Sequence, residues 1–449
     1  MMLQRMSQES RDVIQRLIEH GYEAYYVGGC VRDAWLNRSI TDIDITSSAH
    51  PEQIMACFTK TIPTGLQHGT VTVMMAHSTY EVTTFRRESN YEDHRRPQEV
   101  EFVHDLIEDL QRRDFTMNAM AMNSQGVLID PFAGQKDIEA GVLRCVGSAE
   151  ERFREDALRM LRCIRFAATY QLVVEAKTWQ ALVAQAPLMR HIAMERVRVE
   201  LQRMVASPDV ARAIDMLIAS RVVQYFKQQV ELPFTRWLAH EALLSAVDEL
   251  SAQHTRWALL MILLDVPVAD VRQALRALTF SRAEQVAITS VLSLHDDLRS
   301  AVTHRRVGAQ EFENSPHAQS LEHIWKLSAL RHSVRVAQDW LQLAEVLRKA
   351  IKTQHTSANR NDPHSFVWVH HIEPQLMDNG LRWLQELTCS SIHELDVSGD
   401  ILIRELNKPA GPWVRALLQQ LLEHTAIGLL PNERQALVQA ARSKSNQGE

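Results

Sequence analysis

Cysteine is scarce in this sequence. The 449 residues hold five, Cys30, Cys57, Cys145, Cys163 and Cys389, far apart and with no CxxC pair. An odd, scattered set offers neither a disulfide framework nor a thiolate zinc site and reads as reduced, packed thiols. Long apolar runs are missing too: no stretch approaches the roughly 18–20 uncharged residues of a spanning helix. The opening MMLQRMSQESRDVIQRLIEH has an amphipathic helical pattern with acids rather than that of a signal peptide. No membrane partner and a cytoplasmic location are expected. Nor is there an excess of positive charge, with 49 Lys and Arg against 55 Asp and Glu and a net charge of −6. That disfavours coating nucleic acid by bulk charge but leaves room for a local basic groove. HExxH is absent, and His295-Asp296 lacks companion ligands for a metal phosphohydrolase site. There is no internal repeat, and the only low-complexity tract is the C-terminal ARSKSNQGE, expected to fray.

What is present is a globular composition, 45% hydrophobic and 23% charged, long enough for two to four packed units. Strand-like segments gather between residues 23 and 145: EAYYV, DIDIT, TVTVMMA, TYEVTTF and VEFV. From 146 onward apolar residues recur at three- and four-residue spacing, which predicts helix after helix. The expected class is α+β, a sheet-and-helix head followed by an all-α remainder. Polar stretches at 306–319 and 353–365 read as loops, the second as a linker. Trp325, Trp340 and Trp413 fall at helical spacing among Leu and Val and read as core.

Gly28-Gly29 lies between the strand EAYYV and the helical VRDAWL. Two residues without Cβ atoms let backbone N–H groups approach an anion at a helix start, with Arg32 in reach; a plain tight turn is the competing reading. A dozen residues on, Asp42-Ile43-Asp44-Ile45 alternates, sending both carboxylates to one strand face about 6–7 Å apart. Such a pair repels unless a cation neutralises it, and oxygen ligands that leave room for water suit Mg²⁺; a solvated strand face is the alternative. Glu81, opening YEVTTF, is a third candidate carboxylate or else an exposed strand acid.

GGCVRD, the DxD of DIDIT, YEVTTFRRE, RRDFTMNAMA, DPFAGQKD and ERFREDALRMLRCIRF occur in an order that resembles the class II tRNA nucleotidyltransferases, the CCA-adding enzymes and their relatives the bacterial poly(A) polymerases. A fainter resemblance, to Bacillus-type members, runs through DVSGDILIRELNKPAGPWVRALLQQLLEHTAIGLLPNERQAL. The resemblance implies a polymerase-β-like nucleotidyltransferase head (1–145), a helical neck with a nucleotide-templating helix (146–205), a body (206–305) and a tRNA-binding tail (306–449). It implies attack of an RNA 3′-OH on the α-phosphorus of an NTP, with metals held by Asp42 and Asp44 and assisted by Glu81. Gly28, Gly29 and Arg32 would grip the triphosphate. Arg113 would contact ribose and phosphate, with Asp114 able to accept from a 2′-OH.

Asp156 and Arg159 lie three apart, one helical turn, so an acceptor and a donor point together. That pair matches the edge shared by cytosine and adenine, an amine donor beside a ring-nitrogen acceptor, and mismatches uracil and guanine. An ordinary surface ion pair is the reading of the bare residues; the resemblance favours base recognition. Arg162 and Arg165 continue the stripe toward nucleotide or primer phosphates, and Glu195–Glu200 resembles the family's bracing motif. The charged segment 85–99 resembles the mobile loop of members that proceed to adenosine.

The expected partners are therefore CTP, ATP and tRNA lacking all or part of its 3′ CCA, with Mg²⁺ as cofactor; a homodimer is compatible with the sequence. Poly(A) polymerase and A-adding activities are the alternatives within the family, and a non-catalytic RNA-binding protein is the rival outside it. Over residues 140–204 eleven Lys and Arg face seven Asp and Glu, a local basic excess inside an acidic chain.

Overall fold

The structure is a computed structural model that describes residues 2–92, 96–311, 320–355 and 374–447. The chain forms two compact units, Met1–Val230 with Ala277–Thr279, and Glu231–Arg276 with Phe280–Glu449.

The first unit opens with helix α1 (Gln8–Glu19), capped by the Ser7 hydroxyl accepting from the Ser10 N–H, its Val13, Ile14 and Leu17 buried. Then come β1 (Ala24–Val27), α2 (Gly29–Trp35), β2 (Asp44–Ser47), α3 (Pro51–Cys57), β3 (Thr61–Gly65), β4 (Thr70–Met74) and β5 (Thr79–Thr84). A hairpin follows, β6 (Arg86–Glu92) with β7 (Arg96–Phe102), then α4 (Leu106–Gln111), β8 (Ala121–Met122) and β9 (Leu128–Ile129). The main sheet has seven strands in the order β3-β4-β5-β2-β1-β8-β9. Its one parallel pairing joins β2 to β5, with Asp44 opposite Glu81. Val27, Phe85, Leu106, Leu110, Ala119 and Ala121 share a core beneath this sheet, so the strand ends carrying polar residues are backed by packed apolar side chains.

Helices take over with α5 (Gly134–Glu139), α6 (Ala149–Glu155), α7 (Leu158–Tyr170), α8 (Ala176–Gln185), α9 (Met194–Val205) and α10 (Val210–Ala219). Helix α7 is packed by both α9 and α10, and its Leu158, Met160, Leu161, Ile164 and Ala167 are buried. Among the described residues the all-α expectation from 146 onward is interrupted only by Val173–Val174, which pairs in parallel with Val142–Leu143.

The second unit is helical. Trp325 and Trp340 are buried, with ring centroids 5.7 Å apart, while Trp413 packs against a cluster built on Leu402, Leu421, Leu422 and Leu437. His295 is a core residue here, accepting a hydrogen bond from Trp340 Nε1 at 3.2 Å. Burial and the Arg299 charge push its pKa down to about 4.

Several expected loops are regular structure. Segment 85–99 is mostly the β6–β7 hairpin, with 93–95 outside the described residues. Helix Arg282–Glu311 runs through the start of the 306–319 stretch, and Val334–His355 through the start of 353–365; the remainder of each, apart from Ser320 beyond the first, lies outside the described residues. Residues 441–447 of the tail expected to fray belong to helix Arg434–Gln447, and 448–449 lie outside the described residues. Polar composition marks solvent exposure, which an exposed helix or hairpin satisfies as well as a loop does. Among the described residues no helix is long and apolar enough to cross a membrane.

Helix α5 is seated by a close approach. A Cβ on Gly134 would overlap the carbonyl of Thr116, and Asp137 on the same helix accepts from the Thr116 hydroxyl at 2.8 Å. Gly134→Ala should therefore lower stability by about 1–3 kcal/mol through overpacking, read by denaturant unfolding; an unchanged midpoint would show that the helix can move away from Thr116 freely.

Candidate active site

The parallel pairing of β2 with β5 sets Asp44 beside Glu81 on neighbouring strands. Strand β2 begins only at Asp44. Asp42 thus lies in the irregular approach, and strand alternation does not place it as the sequence suggests. The acids nevertheless act on one another. All three are solvent-accessible, yet the protein around them removes enough water to raise the Asp44 pKa. Arg113 opposes that rise and Asp42 adds to it. Desolvation raises Glu81 as well, reinforced by Asp44 and Asp42.

This is a concentration of oxygen ligands whose negative charge Arg113 compensates only in part, the donor chemistry of a hard divalent cation. Among the described residues no three His, Cys, Asp or Glu side chains converge tightly enough to hold a metal ion unaided. A cation here must complete its shell with substrate oxygens or water, as Mg²⁺ commonly does.

Gly28 has φ +73°, a conformation that favours glycine. Its N–H donates to the Met120 carbonyl at 3.2 Å, so that donor belongs to the sheet and is unavailable to a phosphate, contrary to the sequence reading. What the glycine permits is the approach of Arg113: a Cβ on Gly28 would lie 2.8 Å from Arg113 Nη1. Arg113 Nη2 is 3.5 Å from the buried carboxylate of Asp109, and its Nε is buried with no hydrogen-bond partner among the described residues. An orphaned buried donor near Asp44 fits an incoming phosphate or ribose oxygen.

Arg32 is buried rather than extended toward solvent. Its Nε and Nη2 donate to Asp33 at 3.1 and 2.9 Å, and its Nη1 donates to Asn118 Oδ1. Asp114, expected to receive a ribose hydroxyl, already has both oxygens engaged: Oδ1 by the Phe115 N–H and Asn118 Nδ2, Oδ2 by Arg162 Nε at 2.7 Å. Burial works against the Asp114 charge, but Arg162, Asn118 and Arg159 outweigh it and hold the carboxyl well below the usual range.

Asp156 and Arg159 do not share a helix turn. Helix α6 stops at Glu155 and α7 starts at Leu158, leaving Asp156 in extended conformation at the junction. Asp156 is clasped by Arg196, Nη1 to Oδ1 at 3.2 Å and Nη2 to Oδ2 at 2.8 Å, and Oδ1 also accepts from the Leu158 N–H. Arg159 instead donates to Glu155 at 2.6 Å and to the carbonyls of Arg152 and Arg112. Arg162 pairs with Asp114, and Arg165 with the buried Glu200 at 2.6 Å. Both lie over the ring of Phe166, at 5.1 and 4.0 Å.

Sequence reasoning passes over Asp109, Asn118, Phe166 and Tyr170, whereas Glu200 belongs to the segment read as a brace and holds Arg165 of α7 by an ion pair. A signal existed for two of them: Phe166 and Tyr170 follow Arg162 at four-residue spacing on one helix face.

Opposed carboxylates on neighbouring central strands, a glycine turn with arginines beside it and a helix junction presenting Asp156 together define a nucleotidyltransferase. The comparisons agree. Residues 24–144 match the poly A polymerase head domain, 171–232 the probable RNA and SrmB-binding site of polymerase A, and 367–441 a putative tRNA nucleotidyltransferase domain 2. The CCA-adding enzyme of Geobacillus thermodenitrificans is 38% identical over 96% of this chain and 95% of its own, and that of Staphylococcus aureus 32% over 95% of each. The Bacillus stearothermophilus CCA-adding enzyme in complex with CTP superposes with a TM-score of 0.77 at 33% identity over 98% of both chains. The Thermotoga maritima CCA-adding enzyme complexed with tRNA shares the fold, with a TM-score of 0.60 at 17% identity. This chain belongs to the class II CCA-adding enzymes, nucleotidyltransferases that typically use a divalent metal ion.

The opposite pKa shifts give opposite stability effects. Asp44 is held above its unfolded value, so its charge is a burden on the metal-free fold at pH 7, relieved as pH falls. Asp44→Asn should raise the melting temperature of metal-free protein, by roughly 1–3 °C. Asp114 is held below its unfolded value; its stabilisation is present above the usual carboxylate range and lost as pH falls through the folded value. Asp114→Asn should cost about 3 kcal/mol at pH 7. Scanning calorimetry of both variants checks the pair of signs.

Proposed function

We propose that this protein adds CCA to the 3′ end of tRNA, using CTP and ATP and releasing pyrophosphate, without a nucleic-acid template. The carrying observation is family membership along nearly the whole chain, together with the clustered acids that give the head a place for charge-neutralising metal. Asp42 and Asp44 are the residues we assign to Mg²⁺, with Glu81 alongside. Bound there, Mg²⁺ supplies charge neutralisation for the triphosphate and lowers the pKa of the attacking 3′-OH.

The chain's own residues bind and select. Arg113, through its orphaned Nε, is assigned to a phosphate or ribose oxygen of the nucleotide. Gly29 and Arg32 take the triphosphate, and Gly28 acts by admitting Arg113. Asp156 is assigned to the base. A carboxylate has about four acceptor sites; Arg196 and the Leu158 N–H occupy three, leaving one on Oδ2 for the exocyclic amine of cytosine or adenine. Arg159 is assigned as donor to the ring nitrogen, exchanging one of its present bonds for the base.

Uracil and guanine would set a carbonyl against the Asp156 carboxylate, and a good bidentate match is worth about 1–3 kcal/mol of discrimination. Arg162 and Arg165, tied to Asp114 and Glu200, fix the helix rather than meet phosphates in the free protein. We assign tRNA to the helical residues beyond the head, neck 146–205, body 206–305 and tail 306–449.

Purified protein with Mg²⁺ should extend tRNA lacking its end by C, C and A and then stop; open-ended addition of A to unrelated RNA would support the poly(A) polymerase reading instead. Asp42→Ala should abolish incorporation of both nucleotides, and normal residual activity would remove Asp42 from the metal site. Asp156→Ala should narrow the preference for CTP and ATP over UTP and GTP about 5- to 100-fold in kcat/KM, and intact selectivity would remove it from base recognition.

A further inference from the structure

Tyr170, the last residue of α7, is not part of the base-reading junction or of the acid cluster, yet it touches the nucleotide-gripping turn from below. The Arg32 guanidinium carbon lies 4.5 Å from the centre of its ring, and that of Arg38 4.7 Å. The Tyr170 hydroxyl donates to Asp33 Oδ1 at 3.0 Å, and Asp33 is the carboxylate that receives Arg32 Nε and Nη2. One side chain thus holds Arg32 twice, through its π face and through the acid that orients it.

Three of the five guanidinium N–H donors of Arg32 are used by Asp33 and Asn118. The other two carry no bond among the described residues. The ring is itself well anchored: Phe166 packs beside it at 6.0 Å, Arg38 donates to the Thr169 carbonyl at 3.2 Å, and Arg5 holds the Arg38 carbonyl at 2.5 Å. Burial pushes the phenol up to about 12, so the hydroxyl remains a donor across the working pH range.

We propose that Tyr170 is a positioning residue for nucleotide binding, presenting the two unused donors of Arg32 to the triphosphate and tying the triphosphate turn to the helix whose start reads the base. The proposal rests on the assignment of Arg32 to the triphosphate. Because the triphosphate is common to CTP and ATP, the effect must be equal for both nucleotides and must leave base choice alone. It is a binding effect: an arginine already oriented loses less freedom on meeting its ligand.

The test is a double-mutant cycle in the full-length protein, with steady-state kinetics for CTP on tRNA lacking CCA and for ATP on tRNA ending in CC. Tyr170→Leu should raise KM for both nucleotides about 3- to 20-fold, the range of a cation–π contact plus a hydrogen bond to a carboxylate, with kcat within about threefold. Tyr170→Phe keeps the ring and should recover most of the KM. In an Arg32→Ala background Tyr170→Leu should add little further. An unchanged KM in Tyr170→Leu, or a full additive effect without Arg32, overturns the positioning role. If Arg32→Ala itself leaves KM unchanged, the triphosphate assignment fails independently. Thermal melts accompany each variant, and a loss confined to melting temperature and active fraction with KM intact marks Tyr170 as structural and also overturns the proposal.

Discussion

The ion pair of buried Asp114 with half-buried Arg162 is the contact on which the geometry of the site depends. Asp114 comes from the segment after α4, Arg162 from the middle of α7, and their bond fixes the helix against the head. Buried ion pairs add little net stability compared with apolar packing, because desolvation offsets attraction. What this one supplies is direction. Asp114 also accepts from Asn118, Asn118 accepts from Arg32, Arg32 donates to Asp33, and Asp33 accepts from Tyr170. Tyr170 is again on α7. The bonds leave the helix at Arg162 and return to it at Tyr170, two turns later, having passed through the turn after α4 and through α2. A closed circuit of charge-assisted bonds allows no member to shift without its neighbours, which is how the turn at Gly28-Gly29 and the helix junction at Asp156 keep one relative placement.

Against that satisfied circuit stands the unsatisfied cluster of Asp42, Asp44 and Glu81. There the fold brings like charges together with Arg113 offsetting them only in part, so desolvation and mutual repulsion raise the pKa of Asp44 and Glu81. A cation at the assigned metal site would relieve that repulsion and gain affinity from doing so. Satisfied carboxylates set positions; unsatisfied ones leave charge for a ligand to neutralise. The two classes are told apart by their pKa directions, down for Asp114 and up for Asp44 and Glu81.

Much of this is legible in the amino-acid sequence. Alternation and β-branched content located β1, β2, β4 and β5, and three- and four-residue spacing located the helices from 149 onward. The failures have definite causes. Alternation extends to Asp42 on the sequence although β2 starts two residues later, because one period of a dipeptide repeat cannot show where a strand begins. Asp156 reads as helical because EDALR has helical composition throughout, yet its carboxylate accepts from the Leu158 N–H as Asp does at turns, and Arg196 from forty residues on clasps it, a contact no local pattern reports. Gly28 reads as a phosphate donor because glycine signals a close approach without saying of what, and the visitor is the side chain of Arg113.

The arginines of residues 140–204 also change meaning. As a sequence count they are a basic excess suited to RNA, yet in the fold Arg159, Arg162, Arg165 and Arg196 are each matched to a carboxylate, Glu155, Asp114, Glu200 and Asp156. Paired charges project little field beyond a Debye length, about 8 Å at physiological salt. These side chains therefore cannot draw a polyanion from a distance. Their work is at contact range, where a guanidinium held by one carboxylate presents its remaining donors in a set direction. An acidic protein can in this way handle nucleotides and an RNA end: the net charge of −6 limits long-range attraction, while at contact range the orientation of donors and acceptors is set by ion pairs that a count of charges does not reveal.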